Sequence, residues 1–149
     1  MRTLASKPGF PALAMGALLL LHLVLVPLLL VADADFVYFH GKALPEMCPL
    51  RTVFGVPCPT CGMTRGVVLA LHGHLAESAS VNASAPVLVA AVLFLGILLS
   101  LAGGLRMTGR DRYSDLAAKW IQPAGIAAGL AWGVLLTVNW VWALHAALR

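Results

Sequence analysis

The chain has 149 residues, enough for one compact domain and no more. Hydrophobic residues make up 60% of it and charged residues only 11%, whereas a soluble globular domain carries about 25% charged residues. The composition therefore excludes an ordinary soluble protein and predicts a chain that lies mostly in lipid. The net charge of +4 comes from basic residues scattered among apolar stretches, without the continuous basic face that binding to nucleic acid requires.

The first predicted element is a membrane-spanning helix over residues 12–32. This stretch holds no acidic residue, no lysine and no arginine, and its length matches the roughly 20 residues that cross a bilayer. A cleaved signal peptide is the alternative, because Ala32 and Ala34 form a small-x-small cleavage pattern. The apolar core is longer than the roughly 7–15 residues of a signal peptide, so we expect an uncleaved anchor.

A long connecting segment, residues 33–84, holds all three cysteines. Its first part shows little periodicity. Residues 64–77 have one apolar face and predict a short helix, for which Thr64 is the expected N-cap. This helix is too short to span the membrane, so we expect it to lie in the interface or to enter the bilayer as a re-entrant element.

Two further membrane spans are predicted, over residues 85–104 and 123–144. The third span has a glycine at every fourth position, a pattern typical of close helix packing: Gly125, Gly129 and Gly133. The predicted fold class is therefore an all-α integral membrane protein, a single membrane domain over residues 1–149. It has three transmembrane helices and one short interfacial or re-entrant helix.

Basic residues predict the orientation of the chain in the membrane. The N-terminus carries Arg2 and Lys7, and the connection at residues 105–122 is short and basic. With three spans these two regions face the same side, which the positive-inside rule assigns to the cytoplasm. We therefore expect a multi-pass protein of the cell membrane, plasma or inner, with a cytoplasmic N-terminus and an extracytoplasmic cysteine segment.

The run Cys-Pro-Thr-Cys-Gly at residues 58–62 concentrates reactive and conformationally special residues just before the short helix. A thiol at a helix N-terminus lies near unpaired N–H groups and the positive end of the helix dipole, which stabilise a thiolate. The positive charge of Arg65 is also expected to stabilise a thiolate. Pro59 restricts the backbone between the sulfurs, and Gly62 allows a turn that a side chain would hinder. The residue types predict a tight, electropositive thiol site.

Four interpretations of the cysteines remain open on the sequence alone. A structural disulfide would join Cys48 to Cys58 or Cys61, since extracytoplasmic thiols commonly oxidise. A redox-active pair would use Cys58 and Cys61, with Cys48 as the resolving thiol. A zinc or copper site would combine the three cysteines with His72 or His74. The fourth interpretation is reduced thiols inside a packed interface.

Two polar residues near the cysteines also require an explanation. Arg65 needs a partner if the short helix is partly buried, and the candidates are a carboxylate, helix C-terminal carbonyls or lipid phosphate. Glu77 is twelve residues further on, too far for a direct helical pair, so the candidate carboxylates are those of the loop residues Asp33, Asp35 and Glu46. Asn82 comes just before the second span, and we expect it to cap or anchor the start of that helix.

Nine positions of residues 48–82 form one pattern, a Cys-Pro followed by Cys-Pro-x-Cys-Gly-x-Thr-Arg and a later Asn. They are Cys48, Pro49, Cys58, Pro59, Cys61, Gly62, Thr64, Arg65 and Asn82. This pattern resembles that of a bacterial family of small membrane proteins, domain of unknown function 2752. Members often have Asn-Pro at the last site, whereas this chain has Asn82-Ala83. The family's name assigns no activity, so the resemblance implies no substrate and no catalytic residue.

Three classes of function fit these features. The leading one is a non-enzymatic membrane accessory or interaction protein, which sits in the lipid bilayer and docks on a larger membrane protein or a second copy of itself. The second is a thiol–disulfide redox or metal-handling membrane protein, in which Cys58, Cys61 and Cys48 carry the chemistry. The third, a transporter or channel component, is weakened because the predicted spans hold almost no ionisable residues.

Overall fold

The computed structural model describes residues 9–33, 35–45, 48–55, 58–109 and 111–147. These residues are mostly helical. Three of the described helices contain stretches long and apolar enough to cross a membrane. This confirms the predicted number of spans and the helical fold class.

The described chain contains six helices and three short strands. In chain order they are α1 (Phe10–Leu29), β1 (Leu30–Ala32), β2 (Val37–Phe39), β3 (Lys42–Ala43), α2 (Pro49–Phe54), α3 (Met63–Leu71), α4 (Leu75–Val81), α5 (Ser84–Met107) and α6 (Asp111–Ala147). The membrane-spanning stretches are α1, α5 and the part of α6 from Gly125 to Trp142.

The connection predicted at residues 105–122 is largely helical. Helix α5 continues to Met107, and α6 already begins at Asp111 and passes through Pro123. The break between the two helices falls at Gly109, whose φ of 76° lies in the left-handed region. A glycine in this conformation is a common helix terminator because it has no Cβ to clash.

A small antiparallel sheet follows α1, in the region where the sequence showed little periodicity. Strand β1 pairs with β2 so that Leu30 faces Phe39, and β3 pairs with the other side of β2. The turn between β2 and β3 is His40-Gly41, and both residues have positive φ, 48° and 77°. Positive φ at both central positions is typical of the type I′ hairpin turn, whose twist matches that of the strands.

The short helix predicted over residues 64–77 is two helices in the structure, α3 and α4. Gly73 separates them with a φ of 88°, a conformation that continues neither helix. The two helices pack against each other, and the hydroxyl of Ser78 in α4 donates to the carbonyl oxygen of Gly66 in α3 at 2.7 Å. Ser78 is fully buried, so this bond fixes the angle of the helix pair.

The chain divides into two compact units, of which the first comprises residues 1–24 and 90–129. In its described part, α1 and α5 approach closely through glycines. A Cβ added to Gly16 would lie 2.6 Å from the backbone nitrogen of Ser100, and one added to Gly96 would lie 3.0 Å from the Leu20 side chain. Small residues at such positions let membrane helices come into backbone contact.

The glycines of α6 do not take part in close packing in the structure. At Gly125, Gly129 and Gly133, no described atom lies within 4 Å of the position of an added Cβ. The packing predicted for this stripe is therefore absent from the described contacts, and the close glycine packing lies between α1 and α5 instead.

The second unit comprises residues 25–89 and 130–149 and contains the cysteines. Its most buried apolar residues lie on α3 and at the start of α5: Val68, Leu69, Ala70 and Ala85. A Cβ added to Gly66 would lie 2.7 Å from the Cβ of Ala85. This close approach attaches the cysteine region to the first turn of α5.

Candidate functional site

The three cysteines converge at one point in the second unit. The Sγ atoms of Cys58 and Cys61 are 3.1 Å apart, and those of Cys61 and Cys48 are also 3.1 Å apart. All three sulfurs lie within 4.8 Å of one another and are partly buried. No disulfide bond joins these cysteines, so the cluster presents three thiols. Three of the four interpretations made from the sequence bring Cys48 to the other two cysteines, and the structure places its sulfur beside that of Cys61.

A tight turn brings Cys58 and Cys61 together. The N–H of Cys61 donates to the carbonyl oxygen of Cys58 at 3.0 Å, and the N–H of Cys58 donates to the Sγ of Cys61 at 3.1 Å. Pro59 occupies the first central position of this turn, where its fixed φ is favourable. Gly62 follows with a φ of 76°, and an added Cβ there would lie 2.7 Å from the side chain of Val81. Gly62 is therefore required both by its conformation and by the space around it.

Asn82 holds the cysteine turn against the start of α5. Its side-chain Nδ2 donates to the carbonyl oxygens of Pro59 at 3.3 Å and Cys61 at 3.1 Å. Its Oδ1 accepts from the backbone N–H of Ser84 at 3.1 Å and from the Ser84 hydroxyl at 2.5 Å. Asn82 and Ser84 are fully buried. One side chain thus caps α5 and fixes the backbone that carries two of the thiols.

The thiol environment differs from the expectation of a stabilised thiolate. Burial, followed by hydrogen bonds with the thiols of Cys58 and Cys48, raises the pKa of the Cys61 thiol to about 12. The sequence argument, based on the helix start and Arg65, predicted the opposite direction for this residue. It was wrong for Cys61 because desolvation and neighbouring thiols disfavour the charged form, and the burial of Cys61 is not visible in the motif.

Two further predictions about this region are corrected by the structure. The described metal-ligand cluster contains the three cysteines and no histidine. His72 instead lies with Nδ1 2.9 Å from the carbonyl oxygen of Val68, and His74 lies 3.8 Å from the Glu77 carboxylate. Thr64 does not cap α3, because the N-cap position is taken by Gly62 and no side chain bonds there.

Arg65 reaches across the second unit to the loop after β1. Its Nη1 donates to the backbone carbonyl oxygen of Asp35 at 2.8 Å. Asp35 was a predicted partner through its carboxylate, whereas this contact is with its backbone. The Nε of Arg65 is buried and has no hydrogen-bond partner among the described residues. Glu46, another predicted candidate partner, lies outside the residues that the structure describes.

Asp33 organises the loop that Arg65 contacts. Its carboxylate accepts from the N–H groups of Phe36 at 2.7 Å and Asp35 at 2.8 Å, and from the Tyr38 hydroxyl at 2.8 Å. These three bonds, with a smaller contribution from the charge of Arg65, hold the pKa of Asp33 below its ordinary value. The hydrogen bond that the Tyr38 hydroxyl donates to the Asp33 carboxylate raises the pKa of Tyr38. An Asp that bonds the backbone two and three residues ahead is typical of a turn, and this signal was overlooked in the sequence.

A pocket of about 470 Å³ opens beside the cysteine turn. Its polar walls come from Thr60, Thr64, Arg65 and Asp35, and Cys61 lies on the same lining. Val37, Leu44, Pro45 and Met63 form its apolar walls. The volume lies within the range of about 300–1,000 Å³ of small-molecule sites.

Comparison with known proteins identifies the family of the cysteine region. Residues 48–96 match the family described as protein of unknown function (DUF2752). This segment, about a third of the chain, is similar to the members of that family. The match confirms the family resemblance seen in the sequence, and the DUF2752 segment runs from Cys48 into the middle of α5. No curated protein and no solved structure matches the chain, so its function is argued from the site itself.

Proposed function

We propose that this protein is a membrane-anchored metal-binding protein whose three cysteines hold one soft metal ion, Zn²⁺ or Cu⁺. The observation that supports it is the convergence of Cys48, Cys58 and Cys61, with all three sulfurs within 4.8 Å of one another. Thiolates are the ligands that select zinc and Cu⁺. A structural disulfide requires only two of these sulfurs, and the redox interpretation uses the third only as a resolving thiol, whereas one metal ion holds all three sulfurs at once.

The donor set fits such an ion after small side-chain movements. Metal–sulfur bonds of about 2.3 Å in tetrahedral or trigonal geometry place the sulfurs roughly 3.8–4.0 Å apart. The two distances of 3.1 Å between sulfurs would therefore have to open slightly. Three protein ligands leave a fourth position for solvent or an added ligand if the ion is Zn²⁺, an arrangement found in catalytic rather than closed structural zinc sites.

We further propose that the cluster lies on the extracytoplasmic side of the cell membrane. The proposal is supported by the basic residues of the N-terminus and of residues 105–122, which by the positive-inside rule belong in the cytoplasm. In intact cells, a membrane-impermeant maleimide is expected to label the cysteines, as measured by mass spectrometry of the purified chain. Labelling only after the membrane is opened would contradict this orientation.

Metal binding is testable by titration of the reduced, metal-free full chain in detergent, with a chromophoric chelator as competitor. We expect one Zn²⁺ or Cu⁺ per chain. Because the Cys61 thiol, with a pKa of about 12, must lose its proton to bind metal, affinity rises with pH. The Kd is expected to fall at least about tenfold per pH unit between about pH 6 and 8.

The ligand assignment has matched controls within the chain. Each of the substitutions Cys48→Ser, Cys58→Ser and Cys61→Ser should raise the Kd for the metal by more than about a hundredfold. This exceeds the roughly 10–100-fold loss of metal affinity that follows removal of a residue that only supports a ligand. His72→Ala and His74→Ala should leave the Kd unchanged, because these side chains lie outside the cluster. A chain that takes up no metal and is recovered with a Cys58–Cys61 disulfide would favour the redox interpretation and overturn this proposal.

A further inference from the structure

The pocket beside the cysteine turn is lined by one positive and one negative side chain. Arg65 contributes a guanidinium, which has five N–H donors; Nη1 bonds the Asp35 carbonyl and the buried Nε has no partner among the described residues. Asp35, an acidic residue, lies on the same lining and is exposed. Thr60 and Thr64 add two hydroxyls. These groups together suit a ligand that carries an anion and an amine.

The pocket is connected through its lining residues to the ends of two helices that are long and apolar enough to span a membrane. Asp35 comes six residues after Leu29, the last residue of α1. On the other side of the pocket, Cys61 is bonded through its carbonyl to Asn82, two residues before the start of α5 at Ser84. Because both helices are long and apolar enough to cross the membrane, the pocket is held where each of them leaves the hydrocarbon core.

We propose that this pocket binds an ethanolamine phosphodiester, the headgroup of phosphatidylethanolamine. The guanidinium of Arg65 and the threonine hydroxyls hold the phosphate, a geometry for which arginine is well suited. The Asp35 carboxylate accepts hydrogen bonds from the primary ammonium. The apolar side chains of Val37 and Leu44 on the pocket lining face the glycerol and the first acyl carbons.

The proposed site distinguishes phospholipids by their headgroups. A choline headgroup carries the same phosphate and charge but has no N–H to donate to Asp35, whereas a glycerol headgroup lacks the positive charge. The site therefore prefers phosphatidylethanolamine over both of these lipids. It does not depend on metal binding, so metal-free chain and cysteine variants that fold are expected to retain it.

The test is native mass spectrometry of the full chain in detergent, with phosphatidylethanolamine, phosphatidylcholine or phosphatidylglycerol added separately. We expect phosphatidylethanolamine to bind about tenfold more tightly, the difference that one charge-assisted hydrogen bond provides. Asp35→Asn should remove this preference and leave binding of the other two lipids unchanged. Arg65→Gln should weaken all three lipids, and Lys42→Gln, an exposed charge outside the pocket lining, should change none.

Two results would overturn the proposal: equal binding of the three lipids to the unmodified chain, or an unchanged preference in Asp35→Asn. Asp35 contacts Arg65 through its backbone carbonyl, so Asp35→Asn keeps this contact. The Asp35→Asn variant therefore tests the proposal even if Arg65→Gln does not fold. Soluble glycerophosphoethanolamine, the same phosphodiester without acyl chains, tests whether the lipid is the ligand. Equal affinity for this compound and for phosphatidylethanolamine would overturn the assignment to a lipid, whereas much weaker binding of the soluble compound would support it.

Discussion

Replacing Asn82 with alanine is expected to lower the free energy of unfolding by about 3 kcal/mol. The buried carbonyl oxygens of Pro59 and Cys61 lose their donor, and the first N–H of α5 loses its acceptor at the Asn82 Oδ1. A buried polar group left without a partner costs about 1–3 kcal/mol, and a lost helix cap costs about 1 kcal/mol. Thermal unfolding in detergent, followed by circular dichroism, measures the loss.

A second substitution at position 82 separates the two roles of Asn82, which are to cap α5 and to hold the cysteine turn. A serine at position 82 can still cap α5, but it is too short to reach the carbonyls of the cysteine turn. Asn82→Ser should therefore keep helix content and still raise the metal Kd. Ser80→Ala is the matched control, because Ser80 lies on the same helix and is exposed. An Asn82→Ala protein as stable as the parent would contradict the structural role assigned to this residue.

Gly103→Ala is expected to destabilise the packing of α1 on α5, whereas Gly104→Ala is expected to be tolerated. A Cβ at position 103 would overlap the backbone nitrogen of Leu13 and lie 2.8 Å from the carbonyl oxygen of Gly9, and backbone atoms cannot move aside. At Gly104 no described atom lies within 4 Å of an added Cβ. The two substitutions add the same methyl group to neighbouring positions of one helix.

The expected difference between these variants is about 1–3 kcal/mol, the cost of overpacking at position 103. The gain of up to about 1 kcal/mol from alanine in place of glycine within a helix is common to both variants and cancels. Unfolding of both variants in detergent and their resistance to proteolysis would measure it. Equal stability of the two would contradict the close approach of α1 and α5 in the first unit.

The spans could be predicted from the sequence because their signal is local. An apolar run of about 20 residues crosses a bilayer whatever its neighbours, and α1, α5 and the later part of α6 follow this rule. The ends of the spanning helices were less predictable, since the predicted first span continues to residue 32 whereas α1 ends at Leu29 and β1 follows. That strand depends on pairing with β2, the next strand along the chain, and three-residue strands are too short to give a clear alternation in the sequence.

The candidate site was predictable in its residues but not in its geometry. The motif identified Cys58, Cys61 and Gly62, and the need for glycine at position 62 follows from its left-handed conformation. The position of Cys48 beside Cys61 depends on how the preceding loop folds back. The direction of the Cys61 pKa shift depends on burial. Both are consequences of tertiary structure.

The most direct test of the central claim is X-ray absorption spectroscopy at the metal edge of the purified full chain, loaded with Zn²⁺ or Cu⁺. The account predicts one ion per chain with three sulfur neighbours at about 2.3 Å, and two sulfur neighbours in the Cys48→Ser variant. An ion surrounded only by nitrogen and oxygen, or a spectrum that the Cys48→Ser variant leaves unchanged, would contradict it.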